Sequence, residues 1–89
     1  MPIISQFYGI IITMHYRESE KRCLPHIHAE YADYDAVYDL QSDRISGNMP
    51  IKQDKMIQVW ILIHKEELEA LWKLINDKKD GWFKIEPLR

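Results

Sequence analysis

The spacing of apolar residues changes once along this 89-residue chain, and the change restricts the fold more than any other feature. Up to about residue 46, the chain contains a dense run of β-forming residues and two segments in which apolar and polar residues alternate, and both patterns predict β-strands. From about residue 50 to residue 78, apolar residues recur every three or four positions, which is typical of an amphipathic helix. We therefore predict an α+β fold in which a small antiparallel sheet of three to five strands packs against one long C-terminal helix.

The chain length predicts a single domain over residues 1–89. Its expected segments are a β-rich part over residues 1–46, a helix over about residues 50–78, and a tail or short strand over residues 82–88. The dense run of β-forming residues over 7–16 predicts one central strand that is covered on both faces. An unbroken helix in the C-terminal half would be about 40 Å long, which is long for such a domain, so a kink near His64 is reasonable.

Two alternating segments on either side of Ala32-Asp33 predict a β-hairpin, because these two residues suit a tight turn. In its first strand, His26, His28 and Glu30 share one face, and the apolar residues between them share the other. Burial of the apolar face leaves two imidazoles and a carboxylate together on the opposite surface. A short edge strand is expected after this hairpin, near Arg44.

Two imidazoles beside a carboxylate suit general acid–base catalysis, because histidine titrates near neutral pH. We predict His26 and His28 as catalytic residues, supported by His64 and Glu67, which lie one turn apart on the helix. Ribonuclease chemistry requires little more than such a pair and a cation for the phosphate. The expected phosphate-binding cations are Arg17, Lys21 and Arg22.

The same histidines have two other interpretations. His26 and His28 are candidate ligands for a divalent metal such as zinc, which requires at least one more ligand. The candidates for that ligand are Cys23, Glu30, His15, His64 and Glu67. Alternatively, His26 and His28 form hydrogen bonds that brace the hairpin without any chemistry, and His64 is a satisfied residue at the core boundary.

Composition restricts the partners and the compartment. The formal net charge of −2 argues against a broad polyanion-binding surface, because phosphate contacts depend on lysine and arginine. The single cysteine cannot form an intramolecular disulfide, and small secreted domains usually depend on such bonds. The N-terminal residues lack the basic start of a signal peptide, and no run reaches the roughly 20 apolar residues of a membrane span. We therefore expect a cytoplasmic protein without membrane association.

The chain resembles the small bacterial proteins grouped as domain of unknown function 4160. The shared elements are Met1-Pro2-Ile3-Ile4, Phe7-Tyr8-Gly9-Ile10, Pro25-His26-Ile27-His28-Ala29, Trp60, and His64-Lys65-Glu66-Glu67-Leu68 followed by Trp72. Members of the family often have two prolines before the first histidine, whereas this chain has Leu24-Pro25. The resemblance implies a small cytoplasmic partner-binding protein of a toxin–antitoxin-type gene pair, with an antitoxin-like protein as its partner. Together with the imidazole pair, it leads to the hypothesis of a toxin that binds or cleaves RNA. Exposed tryptophans and the edge strand near Arg44 also suit a homodimer.

Overall fold

The computed structural model describes residues 3–14, 25–76 and 83–88. In chain order, its elements are β1 (Ile3–Phe7), β2 (Ile10–Thr13), β3 (His26–Tyr31), β4 (Tyr34–Asp39), β5 (Arg44–Gly47), α1 (Ile51–Ile63) and α2 (Lys65–Asn76). The five strands form one antiparallel sheet in which spatial order follows sequence order. The predicted α+β class with a small antiparallel sheet is therefore confirmed.

A tight turn at Tyr8 and Gly9 divides the segment that we expected to be one central strand. Both residues have positive φ angles, 49° and 81°, and Phe7 pairs directly with Ile10 across the turn. Two-residue hairpin turns of this kind need positive φ, and they usually contain Asn, Asp or Gly. The expectation of one strand was wrong because a tyrosine, a β-forming residue, occupies the first turn position.

The core lies between one face of the sheet and the two helices. Its fully buried side chains are Ile4, Ile10, Ile12, Met14, Ile27, Ala29, Tyr38, Ile57, Trp60, Ile61, Leu68 and Leu71. The C-terminal residues 83–88 have no regular secondary structure, but Ile85 is buried and its N–H donates to the carbonyl of Ile4 at 2.8 Å. This tail therefore packs beside β1.

The prediction of one long helix is wrong, because α1 ends at Ile63 and α2 begins at Lys65. His64, between them, has φ −111° and ψ 26°, outside the α-helical range, although its N–H still bonds to the Trp60 carbonyl. A straight helix over residues 51–76 would be about 39 Å long. The longest dimension of the described molecule is only 34 Å. The break allows α2 to follow the core instead of extending past it. Neither described helix is long and apolar enough to cross a membrane.

Candidate functional site

β3 presents its histidines as the alternation predicts. Ile27 and Ala29 are fully buried in the core, while His26 and His28 are half-buried and Glu30 is exposed. Because side chains alternate along a strand, the two imidazoles leave β3 on the side opposite Ile27 and Ala29. The backbone of β3 therefore sets the side of the strand from which both side chains start, and the ring of His26 extends from there to α2.

The two imidazole rings contact each other. Their centroids are 5.2 Å apart, and the ring planes meet at 62°, in an edge-to-face arrangement. The ring of His26 also lies 5.2 Å from the ring of Trp72 in α2. Trp72 packs against the core, but it is only half-buried and forms one wall beside His26.

The register of the β3–β4 hairpin places acidic side chains on the histidine face. Asp39 lies opposite His26, and Asp35 lies opposite Glu30. The sequence alone left this face undecided, because a shift of one residue reverses it. The Oδ1 atom of Asp39 accepts hydrogen bonds from the backbone N–H groups of Gln41 and Asp43, both at 2.9 Å. This carboxylate thus orders the turn after β4 while it lies beside the first histidine.

His64 and Glu67 form a second pair at the junction of the helices. The Nδ1 atom of His64 is 2.5 Å from Oε1 of Glu67. The His64 side chain is 14% exposed and the Glu67 side chain is 50% exposed. The imidazole also lies 5.5 Å from the buried ring of Trp60. Sequence spacing predicted that His64 and Glu67 would be neighbours, and here they are in direct contact.

The two histidine groups contact opposite flanks of α2. Trp72, beside His26, and Glu67, bonded to His64, are five residues apart and therefore about 140° apart around the helix axis. The buried residue Leu68 lies between these flanks. A single catalytic site that contains all four predicted residues stays a prediction.

Several predicted site residues lie outside the described parts of the chain. They are His15, Arg17, Lys21, Arg22 and Cys23. Among residues 3–14, 25–76 and 83–88, no group of three or more His, Cys, Asp or Glu side chains is arranged to hold a metal ion. The described chain therefore offers the two imidazoles of β3 as a pair, and a metal bound there would require further ligands from elsewhere.

An ionic group that the sequence did not reveal connects the sheet to α1. The hydroxyl of Tyr38 donates to Oδ1 of Asp54 at 2.6 Å, and the guanidinium of Arg44 lies 3.8 Å from the same oxygen. Burial of the phenol, and next its hydrogen bond to the carboxylate, raises the pKa of Tyr38 well above its ordinary value. These residues keep the phenol protonated and anchor the start of α1, which suits a structural role.

Comparison with known proteins identifies a family but no characterised relative. The family model described as "Domain of unknown function (DUF4160)" matches residues 9–73 of the 89. The matched range includes both histidine groups and Trp72. No curated protein and no solved structure matches the chain.

Proposed function

We propose that this chain, which belongs to the family described as a domain of unknown function (DUF4160), is a cytoplasmic toxin–antitoxin-type protein that binds a cognate small protein and cleaves RNA. The observation that supports catalysis is the contact between the imidazoles of His26 and His28 on one side of β3. The rings touch each other, so a phosphate fits between them only after the two side chains rotate apart. The backbone of β3 keeps both imidazoles close to the same phosphate.

In the proposed reaction, one neutral imidazole accepts the proton of a ribose 2′-hydroxyl while that oxygen attacks the neighbouring phosphorus. The other imidazole, which is protonated, gives its proton to the departing 5′ oxygen. The P–O5′ bond breaks, and the products carry a 2′,3′-cyclic phosphate and a 5′-hydroxyl. His64 and Glu67 lie on the other flank of α2, so they support this reaction only by binding a neighbouring part of the RNA strand. The predicted cations Arg17, Lys21 and Arg22 bind the phosphate.

Cleavage of a fluorescent single-stranded RNA by the purified protein tests the proposal. We expect His26→Ala and His28→Ala each to lower the rate at least 100-fold, because general acid–base groups usually contribute 10²–10⁴. The rate should fall on both sides of a pH optimum, since one ring must be neutral and the other protonated. Glu69→Gln, a change at an exposed position of α2, serves as the control. Equal rates for wild type and the double histidine variant would reject the catalytic role.

Growth of cells that express the chain tests the toxin assignment separately. Wild type should slow growth, and the double variant His26→Ala/His28→Ala should not. If wild type has no effect on growth, or if both proteins slow it equally, the toxin interpretation is lost. Folding of each variant is checked by circular dichroism, so that loss of structure is not mistaken for loss of activity.

The exposed side of α1 supports the proposal of a protein partner. Val59, Leu62 and Ile63 are 47%, 61% and 60% exposed, although the opposite side of the same helix is buried in the core. A helix that is apolar on both sides is usually covered on both sides. Lys55 and Glu66 flank this surface, so a partner helix with an apolar stripe and charges of both signs would fit it.

Leu62→Glu tests this surface, with Glu69→Gln, at an exposed position of α2, as the control. We expect the glutamate to abolish co-purification with the cognate protein and to leave the melting temperature within a few degrees of wild type. Light scattering on the isolated chain distinguishes a homodimer, which the sequence also suggested, from a complex with a different protein. Trp60 is fully buried, so this tryptophan does not take part in a homodimer interface or in the contact with a partner. Unchanged association of L62E would reject this surface.

The same imidazole contact supports a second candidate, a divalent-metal-binding or bracing module without catalysis. Metal analysis of protein purified without a histidine tag separates the two forms of this candidate. Stoichiometric zinc, whose removal by a chelator lowers stability, would indicate a metal site. Absence of metal, together with a large loss of stability in His28→Ala, would indicate that the histidines brace the hairpin.

A further inference from the structure

A cleft of about 570 Å³ lies at the end of the sheet away from His26. Its lining residues are Tyr8, Tyr31, Lys52, Gln53, Met56 and Leu88. We propose that this cleft binds a nucleotide, with the base stacked on the tyrosine rings, the edge of the base hydrogen-bonded to Gln53, and the phosphate paired with Lys52. A volume of this size is ordinary for a small-molecule site.

The cleft is separate from the histidine pair. Tyr31 is the last residue of β3 and His26 is the first, so five steps of about 3.3 Å place them roughly 17 Å apart along the strand. The odd-numbered Tyr31 also points to the core side of the sheet, where it packs against the core. The cleft and the histidine pair share no residue, so an experiment can reject one proposed site without rejecting the other.

Gln53 presents its amide to the cleft. Its side chain is only 9% exposed and makes no hydrogen bond within the described part of the chain, but its amide atoms are still reached by solvent. A ligand in the cleft therefore meets an amide that no protein group occupies. The amide lines the cleft and carries a donor beside an acceptor, which is the arrangement that pairs with the edge of a nucleobase.

The hairpin turn between β1 and β2 supplies the aromatic surface. Tyr8 is 62% exposed and has a φ of 49°, which is strained for a tyrosine. Gly9 allows the ring of Tyr31 to approach the turn, because a Cβ atom at Gly9 would lie 3.3 Å from Cε1 of that ring. Tyrosine rings are suitable platforms for a nucleobase, since every base has a stacking face.

The first turn of α1 supplies the positive charge. Lys52 is exposed at the cleft, and Pro50 at the start of the helix makes no side-chain capping hydrogen bond. The N–H groups of a first helical turn lack partners within the helix and favour phosphate. No carboxylate is present among the lining residues of this cleft. A phosphate beside Lys52 therefore meets attraction from the side chain and from the helix terminus.

Titration of the protein with AMP, GMP, CMP and UMP, followed by ¹H–¹⁵N NMR, tests the proposal. At least one nucleotide should shift the side-chain amide signals of Gln53 and the N–H signal of Gly9. Ribose 5-phosphate, which lacks the base, should bind at least tenfold more weakly. We expect Gln53→Met to lower affinity at least tenfold and to melt within a few degrees of wild type, because methionine keeps the length of the side chain and removes only its polar end.

Matched variants distinguish this cleft from general surface charge and aromatic content. Lys52→Gln should weaken binding at least fivefold, whereas Lys55→Gln, on the same helix but outside the cleft, should not. Tyr8→Asn should raise the melting temperature, because asparagine tolerates positive φ, and should lower affinity at least tenfold. Tyr34→Asn, at the other hairpin turn, is the control for loss of an exposed tyrosine.

Binding of short RNA distinguishes a cleft for a free nucleotide from a cleft for a nucleotide within an RNA strand. Single-stranded tetranucleotides that bind at least tenfold more tightly than mononucleotides would identify an RNA strand, and equal affinities would identify a free nucleotide. Either result supports a nucleotide cleft. The proposal is overturned if no nucleotide shifts Gln53 at 5 mM, if Q53M binds as wild type does, or if K52Q and K55Q weaken binding equally.

Discussion

Replacement of Tyr38 by phenylalanine tests how the sheet is connected to α1. The phenol is fully buried, and its hydroxyl donates to Asp54 at 2.6 Å. Tyr38→Phe keeps the ring and removes only the donor. A hydrogen bond to a charged group contributes about 1.5–3 kcal/mol. Because Asp54 is 22% exposed and retains Arg44 at 3.8 Å, we expect a loss near the lower end, about 1.5–2 kcal/mol.

The pH dependence of the free energy of unfolding provides a second test of the same hydrogen bond. The pKa of Tyr38 is raised in the native state, so the native phenol stays protonated where the unfolded phenol ionises. Below pH 10 the contribution to stability is constant, since the tyrosine pKa in the unfolded chain is about 10. Above pH 10 the unfolded chain binds fewer protons than the native state, and stability falls by about 1.4 kcal/mol per pH unit. Tyr38→Phe should remove this decline.

Urea unfolding from pH 7 to pH 11, followed by tryptophan fluorescence, measures both effects, and thermal unfolding at pH 7 gives the melting temperature. At pH 7 the melting temperature of Y38F should fall by roughly 6–16 °C, from 4–8 °C per kcal/mol for a domain of this size. Tyr34→Phe, at a position that is 46% exposed, is the matched control and should stay within about 0.5 kcal/mol of wild type. The reasoning is refuted if Y38F matches Y34F at pH 7, or if both variants decline equally above pH 10.

Three further substitutions probe the scaffold. Gly47→Ala should destabilise the protein by more than about 2 kcal/mol in urea unfolding, because φ is 86° and a Cβ atom would lie 2.4 Å from the carbonyl oxygen of Asp35. Ser5→Ala should stabilise it by about 1 kcal/mol in the same assay, because Oγ is buried without a partner among the described residues; a loss above 1 kcal/mol would contradict this. Trp72→Ala should move the ring-proton shifts of His26 in NMR spectra, and unchanged shifts would exclude their contact in solution.

The shared side of His26 and His28 was predictable, because it depends only on the alternation of side chains along a strand. In a strand with one buried face, two residues that are two positions apart must point the same way, so Ile27 and Ala29 fixed the direction of His26 and His28. The contribution of Trp72 was not predictable, since its position lies at the flank of the apolar stripe of α2. A residue at the edge of an apolar stripe contacts either the core or groups that face solvent. Only the position of the helix relative to the sheet determines which of these it contacts.

The turn at Tyr8 was missed, and at His64 a kink was expected but not a full break between two helices, for related reasons. Each residue is compatible with the longer element in which the pattern placed it, and each adopts another backbone conformation because of tertiary structure. At Tyr8 the chain must reverse so that β1 pairs with β2. At His64 the apolar spacing continues through the break. The helix bends because of the dimensions of the core, and the spacing of apolar residues contains no information on those dimensions.

The order of the strands has a consequence for how the chain reaches its native state. Since each strand pairs with the one before it, the hairpins β1–β2 and β3–β4 close over turns of two residues and can form independently of the rest. Sheets with local pairing fold faster than sheets that must first close long loops. The contact of Ile85 with Ile4 joins residues far apart in sequence and is expected to form late. Stopped-flow refolding should thus show rapid acquisition of sheet structure, followed by docking of the C-terminal residues.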